Sequence, residues 1–181
     1  MAANAEIMRK VGHLLRRAGF GATADEIDAH ASKGLDVTVD ELLSFDAKPD
    51  QLGSTLQKLQ GDIIDFHNLE DVQSWWVYRM LNTSRPLEEK MTLFWHGHFA
   101  TAIYKVRSAA MMHQQNETQR KHALGNFRDL VTAMAQDPAM LIWLDGNTNR
   151  KGAPNENFGR ELMELFTMGV GNYSEDDVHA A

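Results

Sequence analysis

The sequence predicts an all-α protein, an irregular multi-helix domain, on three observations. Apolar residues recur at helical spacing through most of the chain, beginning with Ile7, Val11, Leu14 and Leu15. Helix start signals recur with them: Thr23 and Glu26 as a capping box, Pro86 ahead of Glu88 and Glu89, and Asp137 ahead of Pro138. No segment sustains the two-residue alternation of a half-buried strand, and no internal repeat or low-complexity tract interrupts the pattern.

Taken in order, the first helix ends at Gly19. Gly19-Phe20-Gly21 follows a helix and lacks a third glycine, so it is a helix stop rather than a phosphate loop. Helices are expected near residues 23–32 and 37–44, and the Pro, Gly and Asp content of 46–53 marks a loop and a sub-domain hinge. Residues 54–83 resume helical character and end in Trp75, Trp76, Tyr78, Met80 and Leu81, a density that predicts a buried helix; His67 and Glu70 are a solvated pair. The Pro86 helix puts Glu88 and Glu89 at its positive end and carries Trp95-His96-Gly97-His98-Phe99. Further helices are expected over 106–121, 122–136 and 139–144, then a Gly/Asn-rich loop over 145–154 and a capped helix from Asn155 towards Gly169. Ser174-Glu-Asp-Asp177 opens another helix only a few residues before Ala181. Fewer than two turns do not hold themselves, so the chain is expected to be the N-terminal part of a longer domain, truncated at its C-terminus, with the missing region packing on it.

Composition narrows the function classes. A chain of 181 residues, 43 % hydrophobic and 24 % charged, can bury a real core. The net charge of −7 argues against a general polyanion binder, so no nucleic-acid partner is expected. The lack of Cys removes disulfides, thiolate zinc sites and Cys nucleophiles. The N-terminus has no basic segment followed by an apolar run, and no stretch approaches the roughly 20 apolar residues of a membrane helix, so neither a signal peptide nor membrane insertion is expected.

Four constellations could carry chemistry. His96 and His98 would share one face of a strand, as paired metal ligands do, but diverge by about 200° on a helix. There, Leu87, Met91, Phe94 and His98 fall on one stripe, so His98 points at a core and His96 elsewhere. His122, Asn126 and Asp129 share a helical face opposite Leu124, Phe127, Leu130, Val131 and Met134, and residues 105–128 are locally basic: a solvated face, or an anion site using Arg128. Asp145, Asn147, Asn149 and Glu156 match the oxygen spacing of a calcium loop, although Arg150 stands where such a loop requires Gly. On the last long helix Phe158, Leu162, Leu165 and Phe166 form the buried face, while Asn157, Glu161 and Glu164 line up opposite with Arg160 at their border. Exposed Glu156–Arg160–Glu164 ion pairs are the plain reading of that stripe. Burial against His96, His98 or His122 would make it a site, because buried carboxylates must pair, bind a divalent metal or shift their pKa. Zinc-protease, nucleophile-elbow, P-loop and di-iron signatures are absent.

The stretches 14–21, 94–99, 122–128, 137–140 and 154–169 (Pro-Asn-Glu-Asn-Phe-Gly-Arg-Glu-Leu-Met-Glu-Leu-Phe-Thr-Met-Gly) resemble, in order and across most of the chain, the domain-of-unknown-function family 1800 of large bacterial proteins. The resemblance implies no activity. It implies further helices beyond 176–178 and, since members often carry export signals, allows an exported or envelope location. Gly159 stands where the family resemblance leads one to expect Ala.

The best functional expectation is an enzyme-like or ligand-binding helical domain. Its polar site would use His96, His98, His122, Asn126, Glu161 and Glu164, with Asn155, Asn157, Arg128 and Arg160 as ligand contacts and a divalent metal as the cofactor to test. The alternatives are a non-catalytic interaction module, in which these residues are caps and buried hydrogen bonds, and a fragment without independent function.

Overall fold

A computed structural model describes residues 2–152 and 155–180. The described residues are predominantly helical, with no β-strand and only isolated bridges such as Gln60 with Ile64. The chain divides into two compact units, Met1–Leu93 and Phe94–Ala181. The segment 46–53 therefore lies inside the first unit.

The first unit begins with α1 (Ala2–Arg17), α2 (Ala24–Lys33) and α3 (Leu35–Leu43). Thr23 and Glu26 form the expected capping box at the start of α2. Gly34, at φ 98, turns the chain between α2 and α3, a conformation that disfavours any side chain. Val11, Leu15, Ala31 and Leu42 make the core of these helices, with Met8, Ile27, Leu35 and Leu87 packed around it.

Next come a 3-10 turn (Phe45–Ala47) and α4 (Gln51–Lys58), which starts inside the stretch expected to be loop because Asp50 caps it by accepting the Gly53 N–H. α5 (Leu69–Asn82) is capped by Asn68, and residues 59–68 interrupt the helical character expected over 54–83. Its burial also departs from the expectation. Trp75 is buried edge-on to Phe66, but Tyr78 and Leu81 are 51 % and 74 % exposed, and the buried residue one turn beyond Trp75 is Arg79.

Arg79 explains the exchange. Its Nε donates to Glu89 Oε1 and its Nη2 to Asp50 Oδ2, both at 2.8 Å, and its guanidinium lies 5.8 Å from the Trp75 ring. Glu89, on α6 (Pro86–His98), is fully buried and Glu88 nearly so. Both lie in the first turn as the dipole argument expects, and burial adds a demand: a desolvated carboxylate needs a cation, and Arg79 supplies it for Glu89. Gly53 has no room for a side chain, since a Cβ there would overlap the Asp50 carboxylate.

In the second unit, α7 (Ile103–Val106) is a single turn ended by Arg107 in the left-handed region, and α8 (Ala109–Lys121) is capped by Ser108. α9 (Phe127–Ala135) starts five residues later than expected from the 122–136 pattern, because Asn126 caps it and His122–Asn126 form the turn from α8. α10 (Pro138–Trp143) has the predicted Asp137 cap, followed by a 3-10 turn (Gly146–Thr148). α11 (Glu156–Glu164) and α12 (Glu175–Ala180) complete the unit; Ala153 and Pro154, in the expected loop, lie outside the described residues.

Phe99, Leu130, Met134, Met140, Leu144 and Phe166 form the core of this unit, with Trp95, Phe158 and Leu162 against it. Leu165, expected in the buried face of α11, is 59 % exposed, and Met163 is buried instead. α12 is tied down by Arg160, which forms a bidentate pair with Glu175 at 2.8 and 2.7 Å, and by His179 facing Glu156 at 3.3 Å.

Candidate functional site

The second unit contains most of the expected site residues, and the structure gives them separate tasks. The His98 ring is packed among Phe94, Trp95, Phe99, Phe127 and Phe166, and its Nε2 lies 2.9 Å from the Phe166 carbonyl oxygen. A carbonyl only accepts, so Nε2 carries the proton and the ring ties α6 to the end of α11. Phe94, placed on the core stripe by spacing, is instead 55 % exposed. His96 is half-buried, and burial holds its ring below the usual imidazole range. His122 caps the C-terminus of α8, while the Asn126 side chain accepts the Arg128 N–H at the start of α9; Arg128 and Asp129 are exposed.

Glu164 accepts a 2.5 Å hydrogen bond from the Tyr173 hydroxyl, and this bond to the carboxylate holds the phenol above its ordinary pKa. Arg160 belongs chiefly to Glu175, with Glu156 more distant at 3.8 Å, so the expected Glu156–Arg160 pair forms whereas Glu164 turns to Tyr173 instead of Arg160. Within the expected basic stretch, Arg120 is buried and bonded to Asn116 Oδ1 at 2.6 Å and to Glu117.

Three of the four residues of the calcium-loop spacing are turned to other partners, and the fourth is exposed. Asp145, held at φ 59, faces Lys105 Nζ at 2.9 Å. Asn149 Oδ1 accepts the Asn155 N–H at 2.5 Å, Glu156 faces His179 and Arg160, and Asn147 is exposed. Asn155 caps α11 and reaches back to the Asp145 carbonyl at 2.9 Å, fixing loop to helix. Among the described residues, no group of three or more His, Asp or Glu side chains is placed to hold a metal ion.

One recess does use the predicted stripe. Glu161 and Asn157 of α11 line a cavity of about 350 Å³ together with Tyr104, Lys105 and Trp143, above a floor that includes Phe166. The Lys105 ammonium is fixed by the Trp143 carbonyl at 2.5 Å and by Asp145, and lies 5.7 Å from the Trp143 ring centre. Tyr104 meets Trp143 edge-on, with 73 % of its own surface open. Asn157 Nδ2 donates to the Leu144 carbonyl at 3.3 Å, leaving its side-chain oxygen available. Glu161 is half-buried as a residue, and its carboxylate has no hydrogen-bond or ion-pair partner among the described residues. Tyr104 and Lys105 come from a one-turn helix that the sequence pattern does not resolve, so only the α11 half of this site is visible in the spacing.

A second polar cluster escapes the sequence analysis. Thr101 Oγ1 donates to Gln115 Oε1 at 2.6 Å, and Gln115 Nε2 donates to Asp137 Oδ1 at 2.7 Å, all three side chains being buried. Asp137 Oδ1 also takes the Met140 N–H, whereas Oδ2 is buried without a partner. Burial raises the Asp137 carboxyl above its ordinary value despite these donors. A carboxyl whose folded pKa exceeds its unfolded one stabilises the fold at pH below the unfolded value, and that contribution disappears as pH rises through the folded value. Asp137→Asn is therefore expected to keep the cap and flatten the pH dependence of unfolding above the carboxylate range. Asp137→Ala loses the cap, about 1–2 kcal/mol; denaturant melts at a series of pH values distinguish them.

None of the described helices is long and apolar enough to cross a membrane. No curated protein and no solved structure matches the chain. One family model does, over residues 13–181, and the chain belongs to that family, described as "Protein of unknown function (DUF1800)".

Proposed function

We propose that this chain is a small-molecule-binding domain whose site is the recess lined by Tyr104, Lys105, Trp143, Asn157 and Glu161, and that its ligand is a neutral hydroxylated ring compound of pyranose size. The observation that carries this reading is Glu161: a half-buried residue, its carboxylate without a partner among the described residues, lining a cavity. A carboxylate without a partner gains from a ligand that donates to it, and two adjacent sugar hydroxyls match its two oxygens. The Asn157 side-chain oxygen accepts a further hydroxyl, and the exposed Tyr104 ring offers an apolar face for ring C–H groups.

Binding is favoured over turnover because the lining described holds one carboxylate and no histidine, short of the acid and base that glycoside chemistry pairs. The His98 ring serves helix packing and the His122 ring does not line the recess, which weighs against the His-centred version of the site.

Titration of the full chain with methyl glucoside and N-acetylglucosamine, followed at the Trp143 indole by NMR, tests the proposal. A saturable shift is expected, with affinity about tenfold weaker, or ~1.4 kcal/mol, in Glu161→Ala. If neither sugar shifts the indole, or Glu161→Ala binds as well as the parent, the binding reading fails. The interaction-module alternative then stands, supported by the capping and packing roles of His98, Asn126 and Asn155.

A further inference from the structure

We propose that a second recess, between α1 and α3 in the first unit, binds an anionic amphiphile: a molecule joining an oxyanion head to a short apolar chain. The recess has a volume of about 590 Å³ and is walled by Arg9, Lys10, His13, Arg16 and Arg17. Its floor is aliphatic, made of Leu14, Leu35 and Val39. This volume is within the roughly 300–1,000 Å³ common for ligand sites.

The helical period creates the wall. Residues 9, 13, 16 and 17, together with 10, occupy one continuous side of α1, while Val11 and Leu15 occupy the other and are buried in the core. Among the described residues Lys10 pairs with Glu6 at 2.8 Å, whereas Arg9, Arg16 and Arg17 have no ion-pair partner. No Asp or Glu occurs from Ile7 through Ala24, so a chain of net charge −7 concentrates four Lys and Arg here without an intervening carboxylate. The carboxylates of α3 do not line the recess.

Two plainer explanations cover only part of this. Arg16 and Arg17 in the last turn of α1 complement the helix dipole, but His13 and Arg9 lie one and two turns earlier, where the dipole no longer acts. A general polyanion surface would extend along the unit and needs no aliphatic floor. Guanidinium groups beside Leu14, Leu35 and Val39 match a ligand that needs both: the head binds by forked hydrogen bonds and the chain covers the floor. The head can be a phosphate or a carboxylate, since the guanidinium fork fits both. This site shares no residue with the recess of the second unit and stands independently of it.

Calorimetric titration of the full chain at low salt, with hexyl phosphate, hexanoate, inorganic phosphate and hexanol, tests the proposal. Hexyl phosphate or hexanoate is expected to bind at least about tenfold more tightly than inorganic phosphate, a difference of ~1.4 kcal/mol, and hexanol not to bind. Arg9→Gln with Arg16→Gln, both at exposed positions and checked for an unchanged melt, should weaken the amphiphile about tenfold or more. Val39→Asn should erase the advantage of the alkyl chain while leaving inorganic phosphate unaffected. Equal affinity for phosphate and hexyl phosphate would mean a plain anion site and overturns the proposal. So does amphiphile binding that survives the double Arg substitution. Binding confined to phosphatidylglycerol vesicles, with no uptake of the monomers, overturns it in favour of a membrane surface.

Discussion

Arg79→Met is expected to destabilise the first unit by about 3–5 kcal/mol, the cost typical of breaking a buried ion pair from one side. Arg79 is 2 % exposed and Glu89 fully buried, so the substitution removes the guanidinium that compensates a desolvated carboxylate. It also releases Asp50, which caps α4, from the guanidinium it pairs with. Arg79→Lys keeps the charge but cannot span Glu89 and Asp50 with one planar fork, and should fall between. The pair also predicts a pH dependence. Burial pushes the Asp50 carboxyl up, but the Gly53 N–H and the Arg79 guanidinium together outweigh it and hold the group below its ordinary value. Its folded pKa is therefore lower than its unfolded one. The stability it contributes is present above the unfolded value of about 3.9 and is lost as pH falls through the folded value. Urea unfolding of the parent and Arg79→Met from neutral pH into the acid range reads both effects. A loss below about 1 kcal/mol at neutral pH would show that the pair behaves as a solvated surface bridge.

What the sequence made legible was local. Thr23 with Glu26 and Asp137 with Pro138 are decided within one turn, and the structure has both caps where the residues predict them. Helical periodicity likewise placed Asn157 and Glu161 on one side of α11. The buried charge network could not be found this way, because Arg79 meets Glu89 across 10 residues and Asp50 across 29. Glu88 and Glu89 after Pro86 satisfy the dipole rule equally well in water or in a core, so the local signal left their environment open. The calcium-loop spacing failed for a related reason. Spacing counts oxygens along the chain, whereas Lys105 and His179, which engage Asp145 and Glu156, come from elsewhere in the fold, and the Asn155 N–H takes Asn149 within the loop itself. The α9 start was also misread: His122, Asn126 and Asp129 keep helical spacing, yet Asn126 competes for the backbone as a cap, and the helix begins after it.

Phe99→Ala should cost the second unit about 3–5 kcal/mol, the range for truncating a buried aromatic. The Phe99 ring is fully buried, with its centre 5.5 Å from Phe166, 6.0 Å from Trp95 and 6.5 Å from Phe127, and edge-on to His98 at 4.8 Å. Because these neighbours belong to α6, α9 and the end of α11, the cavity left behind cannot be closed by moving one element. Phe99→Leu, which refills most of the volume, should cost well under half as much. The substitution also connects the core to the proposed site. Phe166 holds the His98 bond through its carbonyl and contributes its side chain to the floor beneath Glu161 and Tyr104. If the recess depends on that packing, Phe99→Ala should weaken sugar binding under conditions where the chain is still folded, whereas Arg79→Met, in the other unit, should leave it unchanged. Equal losses of binding in the two variants, measured well below both melting transitions, would mean that general destabilisation governs affinity and that Phe166 does not position the site.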